Sequence, residues 1–218
     1  MIAVKHITVT LIVVALAACS KSHDTSPAFV PEQSYITGTI EGNVNDSAIY
    51  ALVLQPNGMA KALSIEKSPD ATYEYKNNHL KFMLAGSSEG FDFTISGNTI
   101  TDAASLTHTM AAPNTSILQK VPASDAFSGK TFTGNLKLNG HNTPDFIFTF
   151  RFDGGKFAFS TDGQPPTLLD KDYALQNNAV ATASAGNQKF LFVIVNGKLA
   201  VSFTSGVLQF NGELHPAA

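Results

Sequence analysis

Apolar and polar residues alternate along most of this chain, most plainly from Asp145 to Ser160. Phe146, Phe148, Phe150 and Phe152 alternate with Ile147, Thr149 and Arg151, a period of two that puts four rings on one face of a strand. Asp153-Gly154-Gly155 supplies residues able to take positive φ in a tight turn, and Phe157 and Phe159 resume the alternation. The stretch predicts a β-hairpin. From Tyr35 onward the rest of the chain reads the same way. In the first half strands are predicted near 35–43, 48–55, 59–66, 72–76, 79–85 and 90–96, with a seventh at 99–106. In the second half they are predicted near 131–138, 145–152, 156–161, 172–176, 179–185, 188–195, 198–204 and 207–210. Helical periodicity is weak, and only Pro166 to Lys171 and Asp102 to Leu106 leave room for a turn of helix.

The two halves resemble each other. Ile36-Thr37-Gly38-Thr39-Ile40 aligns with Phe132-Thr133-Gly134-Asn135-Leu136. The same spacing sets Tyr50, Leu52 and Leu54 on Phe146, Phe148 and Phe150, and Asn57-Gly58 on Asp153-Gly154. After an insertion near Gln164-Pro165-Pro166-Thr167, Tyr73 falls on Tyr173 and Asn77-Asn78 on Asn177-Asn178. Ala85-Gly86 falls on Ala185-Gly186, and Gly97 on Gly197. Between these turns Phe91, Phe93 and Ile95 meet Leu191, Val193 and Val195. Matched turns and one matched face are what a duplicated β unit keeps.

The fold class expected is therefore all-β, from two similar antiparallel up-and-down meander units at 35–110 and 130–214. Residues 111–129, with Pro113 and Pro122, read as the linker. A phenylalanine face must be covered, since each ring is worth about 1.5–3 kcal/mol when buried. Two small barrels, a sandwich of two sheets, or one joint barrel would each do so. A membrane-spanning barrel is disfavoured, because the strands fall short of the roughly 9–11 residues it needs.

Residues 1–18 break the pattern. Lys5 and His6 precede an apolar run, Ile7 to Leu16, too short to cross a bilayer core of about 30 Å. Leu16-Ala17-Ala18-Cys19 follows and ends on the chain's single cysteine. This stretch resembles the lipobox of bacterial lipoproteins. The resemblance covers the first nineteen residues only. It implies cleavage before Cys19, a diacylglycerol on its thiol, and in most Gram-negative bacteria a further acyl chain of the palmitate class on its amine. The membrane is then a partner through the N-terminal lipid, and Ser20 is permissive for the outer membrane. The alternative is an ordinary secretory signal cut after Ala18, which would leave a free thiol in an oxidising compartment. Residues 19–34, polar and carrying Pro27 and Pro31, read as a tether; His23 and Asp24 on it read as solvated.

Composition narrows the function classes. With a net charge of −3 and Arg151 as the sole arginine, the chain lacks the basic footprint of a nucleic-acid binder. Gly86-Ser87-Ser88-Glu89-Gly90 matches the Gly-x-Ser-x-Gly of hydrolases, but a predicted strand follows it, where a nucleophile elbow needs a helix. His23, His79, His108, His141 and His215 show no spacing for shared metal ligation. Asp170 and Asp172 flank Lys171 in a loop and read as solvated. No catalytic residue, metal or cofactor is therefore expected, and the chain reads as a non-enzyme. Three residues stand out as ligand candidates. Arg151 would matter if its face lined a cavity, and Tyr73 and Tyr173 could stack on a sugar. The expectation is a lipid-anchored envelope protein that binds an apolar small molecule, a glycan or another envelope protein. A structural or assembly role is the alternative, and a hydrolase built on Ser88 or Asp170 and Asp172 the third reading.

Overall fold

The computed structural model describes residues 29–41, 47–107, 111–140 and 146–217. The signal segment, Cys19, His23, Asp24, the turn at Asn45-Asp46, His108 and His141 lie outside the described residues.

The chain is all-β, in two antiparallel sheets. The first contains β1 (Ser34–Glu41), β2 (Ser47–Leu54), β3 (Met59–Leu63), β4 (Asp70–Lys76), β5 (His79–Leu84), β6 (Gly90–Ser96), β7 (Thr99–Ser105) and β8 (Pro113–Lys120). The second contains β9 (Thr131–Leu138), β10 (Phe146–Asp153), β11 (Lys156–Ser160), β12 (Lys171–Asp172), β13 (Ala174–Asn177), β14 (Val180–Ala185), β15 (Gln188–Val195), β16 (Lys198–Ser205) and β17 (Leu208–Pro216). Each sheet curls into a nearly closed barrel, which hides the apolar face and leaves few free edges. Sandwich and joint-barrel arrangements are thereby set aside.

Strand order relates the barrels. The first runs β7-β6-β5-β4-β3-β2-β1-β8, with β7 lying beside β8 but not laddered to it. The second runs β12-β11-β10-β9-β17-β16-β15-β14-β13. Read as rings, these are one order, opened between β7 and β8 in the first barrel and between β12 and β13 in the second. The break after β12 splits the counterpart of β4. This common ring is consistent with duplication of one meander unit.

Several expectations need correction. Pro113–Lys120, expected within the linker, is the eighth strand of the first barrel and pairs with β1. Pro113 stands at its first position, where a strand tolerates the missing N–H. Asp102 to Ser105 is strand, and Pro166 to Asp170 is irregular loop; neither forms a helical turn. The last strand reaches Pro216. Part of the expected tether also belongs to the barrel. Phe29 is buried against the first core, with its ring edge-on to Tyr75 at 4.9 Å. Phe127 does the same in the second barrel, at 5.4 Å from Phe152 and 5.8 Å from Tyr173. Each plug precedes the first strand of its barrel.

The alignment of the halves also shifts. Tyr50 lies opposite Gly38, whereas Phe148 lies opposite Gly134, so the counterparts of Tyr50, Leu52 and Leu54 are Phe148, Phe150 and Phe152. Phe91, Phe93 and Ile95 point into the first barrel, but Leu191, Val193 and Val195 point out of the second. Their true counterparts are Phe190, Phe192 and Ile194. The second interior is packed with rings: Phe148, Phe150, Phe152 and Phe157 are buried, with Phe152 and Phe192 perpendicular at 5.0 Å. Phe146, at the strand end, stays 44% exposed.

Candidate functional site

One strand of each barrel is buried on both faces. In β2, Tyr50, Leu52 and Leu54 point inward, while Ile49, Ala51 and Val53 point outward into a third apolar cluster. Leu191, Val193 and Val195 of β15, with Ala179 and Val180, meet them from the second barrel. Unbroken apolar runs such as Ile49 to Leu54 and Phe190 to Val195 are the sequence mark of such strands. This outward cluster joins the barrels side by side. Polar contacts fasten its margin: the Tyr35 hydroxyl donates to the Ile194 carbonyl, and Gln119 Nε2 donates to Asn196 Oδ1 at 3.1 Å. Burial pushes the Tyr35 phenol well above its ordinary pKa, so it stays a donor.

Beyond that contact the barrels diverge and leave a cleft of ≈ 420 Å³. Ile49, Val195 and Ala200 form its apolar floor. One wall belongs to the first barrel and carries Thr37, Thr39, Thr115 and Ile117. Thr37 Oγ1 donates to the Tyr50 carbonyl at 2.7 Å, and the Thr39 and Thr115 hydroxyls lie 3.0 Å apart. The other wall belongs to β9 and β17 and carries Lys137, Asn139, Asn211 and Glu213. Asn211 Nδ2 donates to Asn139 Oδ1 at 2.6 Å, which leaves Asn211 Oδ1 buried without a donor. Glu213 is held by Lys198 at 2.7 Å. Among the described residues Lys137 has no ion pair, so this wall has one uncompensated positive charge. The cleft thus joins an apolar floor, a row of hydroxyls and one free ammonium.

The residues singled out from sequence lie elsewhere. Arg151 is half-buried outside the second barrel and donates to the Pro166 carbonyl at 3.3 Å, tying down the loop after β11. Tyr73 donates to the Gln55 carbonyl at 3.0 Å and to Glu32 at 3.1 Å. Burial, then Glu32, pushes its phenol up to about 12. Tyr173 donates to Asp125 at 2.6 Å, and burial followed by that carboxylate raises its pKa strongly. Each tyrosine therefore latches the segment that precedes the first strand of its barrel. None of the three lines the cleft.

Ser88 sits in the hairpin loop between β5 and β6, where Glu89 N–H donates to Ser87 Oγ at 2.9 Å; the geometry is strand-turn-strand. Asp170 pairs with Lys171 at 2.8 Å and Asp172 with Lys156 at 2.7 Å, both at the surface, and the Lys171 hydrogen bond lowers the Asp170 pKa. His79 Nδ1 lies 3.1 Å from Asp92. Among the described residues no three His, Cys, Asp or Glu side chains gather into a metal-holding group.

Sequence reasoning missed the cleft residues. Apart from Asn139, in the turn after β9, each is an outward-facing position of a strand, and the walls come from β1 and β8 on one side and β9 and β17 on the other. The available signal was the continuous apolar run in β2 and β15, which marks where the outer faces must meet. Fold and site together define a two-barrel β protein with a cleft between its units. No family model, no curated protein and no solved structure matches the chain.

Proposed function

We propose that this chain is a lipid-anchored, non-catalytic binding protein of the cell envelope, and that the inter-barrel cleft receives its ligand. The observation that carries the reading is the cleft itself: at ≈ 420 Å³ it lies within the roughly 300–1,000 Å³ of small-molecule sites. Its floor suits an apolar body, its threonines offer hydrogen bonds along one edge, and Lys137 would pair with an acidic group. A glycan is a poorer fit, because no aromatic ring lines the cleft to stack on a sugar. The anchor is Cys19, with Ser20 permissive for the outer membrane. A structural or assembly role is the second reading, favoured by the ring-filled interior of the second barrel.

Anilinonaphthalene sulfonate, an apolar anionic dye, probes the cleft. The mature protein is expected to enhance its emission, and Lys137→Glu and Thr39→Trp to weaken binding by about tenfold or more with the melting temperature unchanged. Failure of the wild type to bind, or folded variants that bind like wild type, would overturn the cleft reading. Separately, cells fed labelled palmitate should label the wild-type protein but not Cys19→Ala; an unlabelled wild type removes the anchor.

A further inference from the structure

Because the barrels share one strand order, each ladder row in one has a counterpart in the other. Ile36, Leu52 and Ala62 stand side by side across β1, β2 and β3. The matching row of the second barrel is Phe132, Phe150 and Phe159. On the far side Phe91 faces Ser105, where the second barrel has Phe190 facing Phe203. One end of the second barrel is therefore stopped by its own rings. Phe159 and Phe203 are 5.9 Å apart, and Phe203 stacks on Phe210 at 4.7 Å. The first barrel has Ala62 and Ser105 where those first two rings stand.

Two larger residues return part of that volume. Phe82 and Leu84 of β5 occupy the rows of Ala183 and Ala185. The exchange is incomplete, and a cavity of ≈ 190 Å³ remains at the mouth of the first barrel. Its walls are Ile40, Tyr50, Leu52, Ala62, Leu84 and Phe91. The Tyr50 and Ser64 hydroxyls at its margin are already satisfied, and the Lys67 side chain at its rim is exposed to solvent. The Tyr50 hydroxyl engages Ser116 Oγ at 2.8 Å and the Thr115 carbonyl at 3.2 Å, and burial pushes its pKa up to about 12. Ser64 Oγ donates to the Lys67 carbonyl at 3.2 Å and accepts from the Lys67 N–H at 3.1 Å. Such a site offers dispersion and dehydration, with its hydroxyls already engaged and its one ammonium, that of Lys67, at the solvent-exposed rim, so its interior selects neutral, apolar matter. An apolar cavity of roughly 150 Å³ is known to stay dry and accept benzene.

We propose that the mouth of the first barrel is a second binding site, distinct from the cleft, for a small neutral aromatic molecule or aromatic group. The ligand takes the place that Phe159 and Phe203 occupy in the second barrel.

Toluene is the probe, added to the mature full-length protein while thermal unfolding is followed. At about ten times its Kd it should raise the wild-type melting temperature by roughly 3–5 °C. Ala62→Phe supplies the ring of the second barrel and should abolish that rise while leaving the unliganded melting temperature equal or higher. Ser105→Phe, on β7 beside the lining residue Phe91, is the second variant and should do the same. Thr39→Trp, in the cleft, should keep the full response. The proposal is overturned if toluene leaves the wild type unmoved, or if either ring-bearing variant folds and still responds like wild type.

Discussion

Gly38 illustrates how much one missing methyl group can decide. A Cβ there would sit 1.9 Å from the Thr115 carbonyl oxygen, because β1 and β8 approach each other too closely for any side chain. Gly134 is its counterpart in β9, yet its Cβ would come only to 3.2 Å from the Glu213 carbonyl. Gly38→Ala should therefore lower stability by several kcal/mol, and Gly134→Ala by about 1 kcal/mol, read by urea unfolding of each variant. Equal costs would mean that the two close approaches do not differ as described. The paired Thr-Gly of Thr37-Gly38 and Thr133-Gly134 was visible as a repeat in the sequence. Its cause was not, since the strand that each glycine admits lies about 80 residues further along.

Strands were the most legible elements, because a period of two survives wherever one face is apolar and the other polar. Legibility failed where both faces are apolar. Phe190 to Val195 gives hydropathy no means of choosing which residues point inward, and so the turns of the two halves aligned while the faces slipped by one. β8 was hidden for the opposite reason. Pro113 and the polar Asn114, Thr115 and Ser116 read as a connection, and only the ladder with β1 reveals a strand. Between copies, bulk has changed places. Ala60 and Ala62 of β3 stand against Phe157 and Phe159 of β11, while Leu80 and Phe82 of β5 stand against Ala181 and Ala183 of β14. Strands on either side of the fourth have exchanged large for small, which fills the second interior and all but the mouth of the first.

At the scale of the whole molecule, the outward cluster makes the barrels depend on each other. Tyr35, Ile49, Val53, Leu191 and Val193 would all face water if the barrels stood apart. The wild type should unfold in one cooperative transition. Leu191→Asp places an unpaired charge at the centre of that contact and should split calorimetric unfolding into two transitions. A single transition at an unchanged temperature would show that the contact contributes nothing. The candidate site was illegible in sequence at this scale, because Thr37 and Lys137 share a cleft only once two separately closed barrels have docked.

The aromatic plug at Phe29 shortens the reach of everything above it. Only nine residues, Ser20 to Ala28, separate that fixed ring from Cys19. Even drawn out straight they extend about 30 Å. With Cys19 acylated as proposed, the first barrel rides close over the lipid headgroups. Its mouth, at the end away from the plug, would then meet molecules arriving from the aqueous side, leaving those embedded in the bilayer behind it.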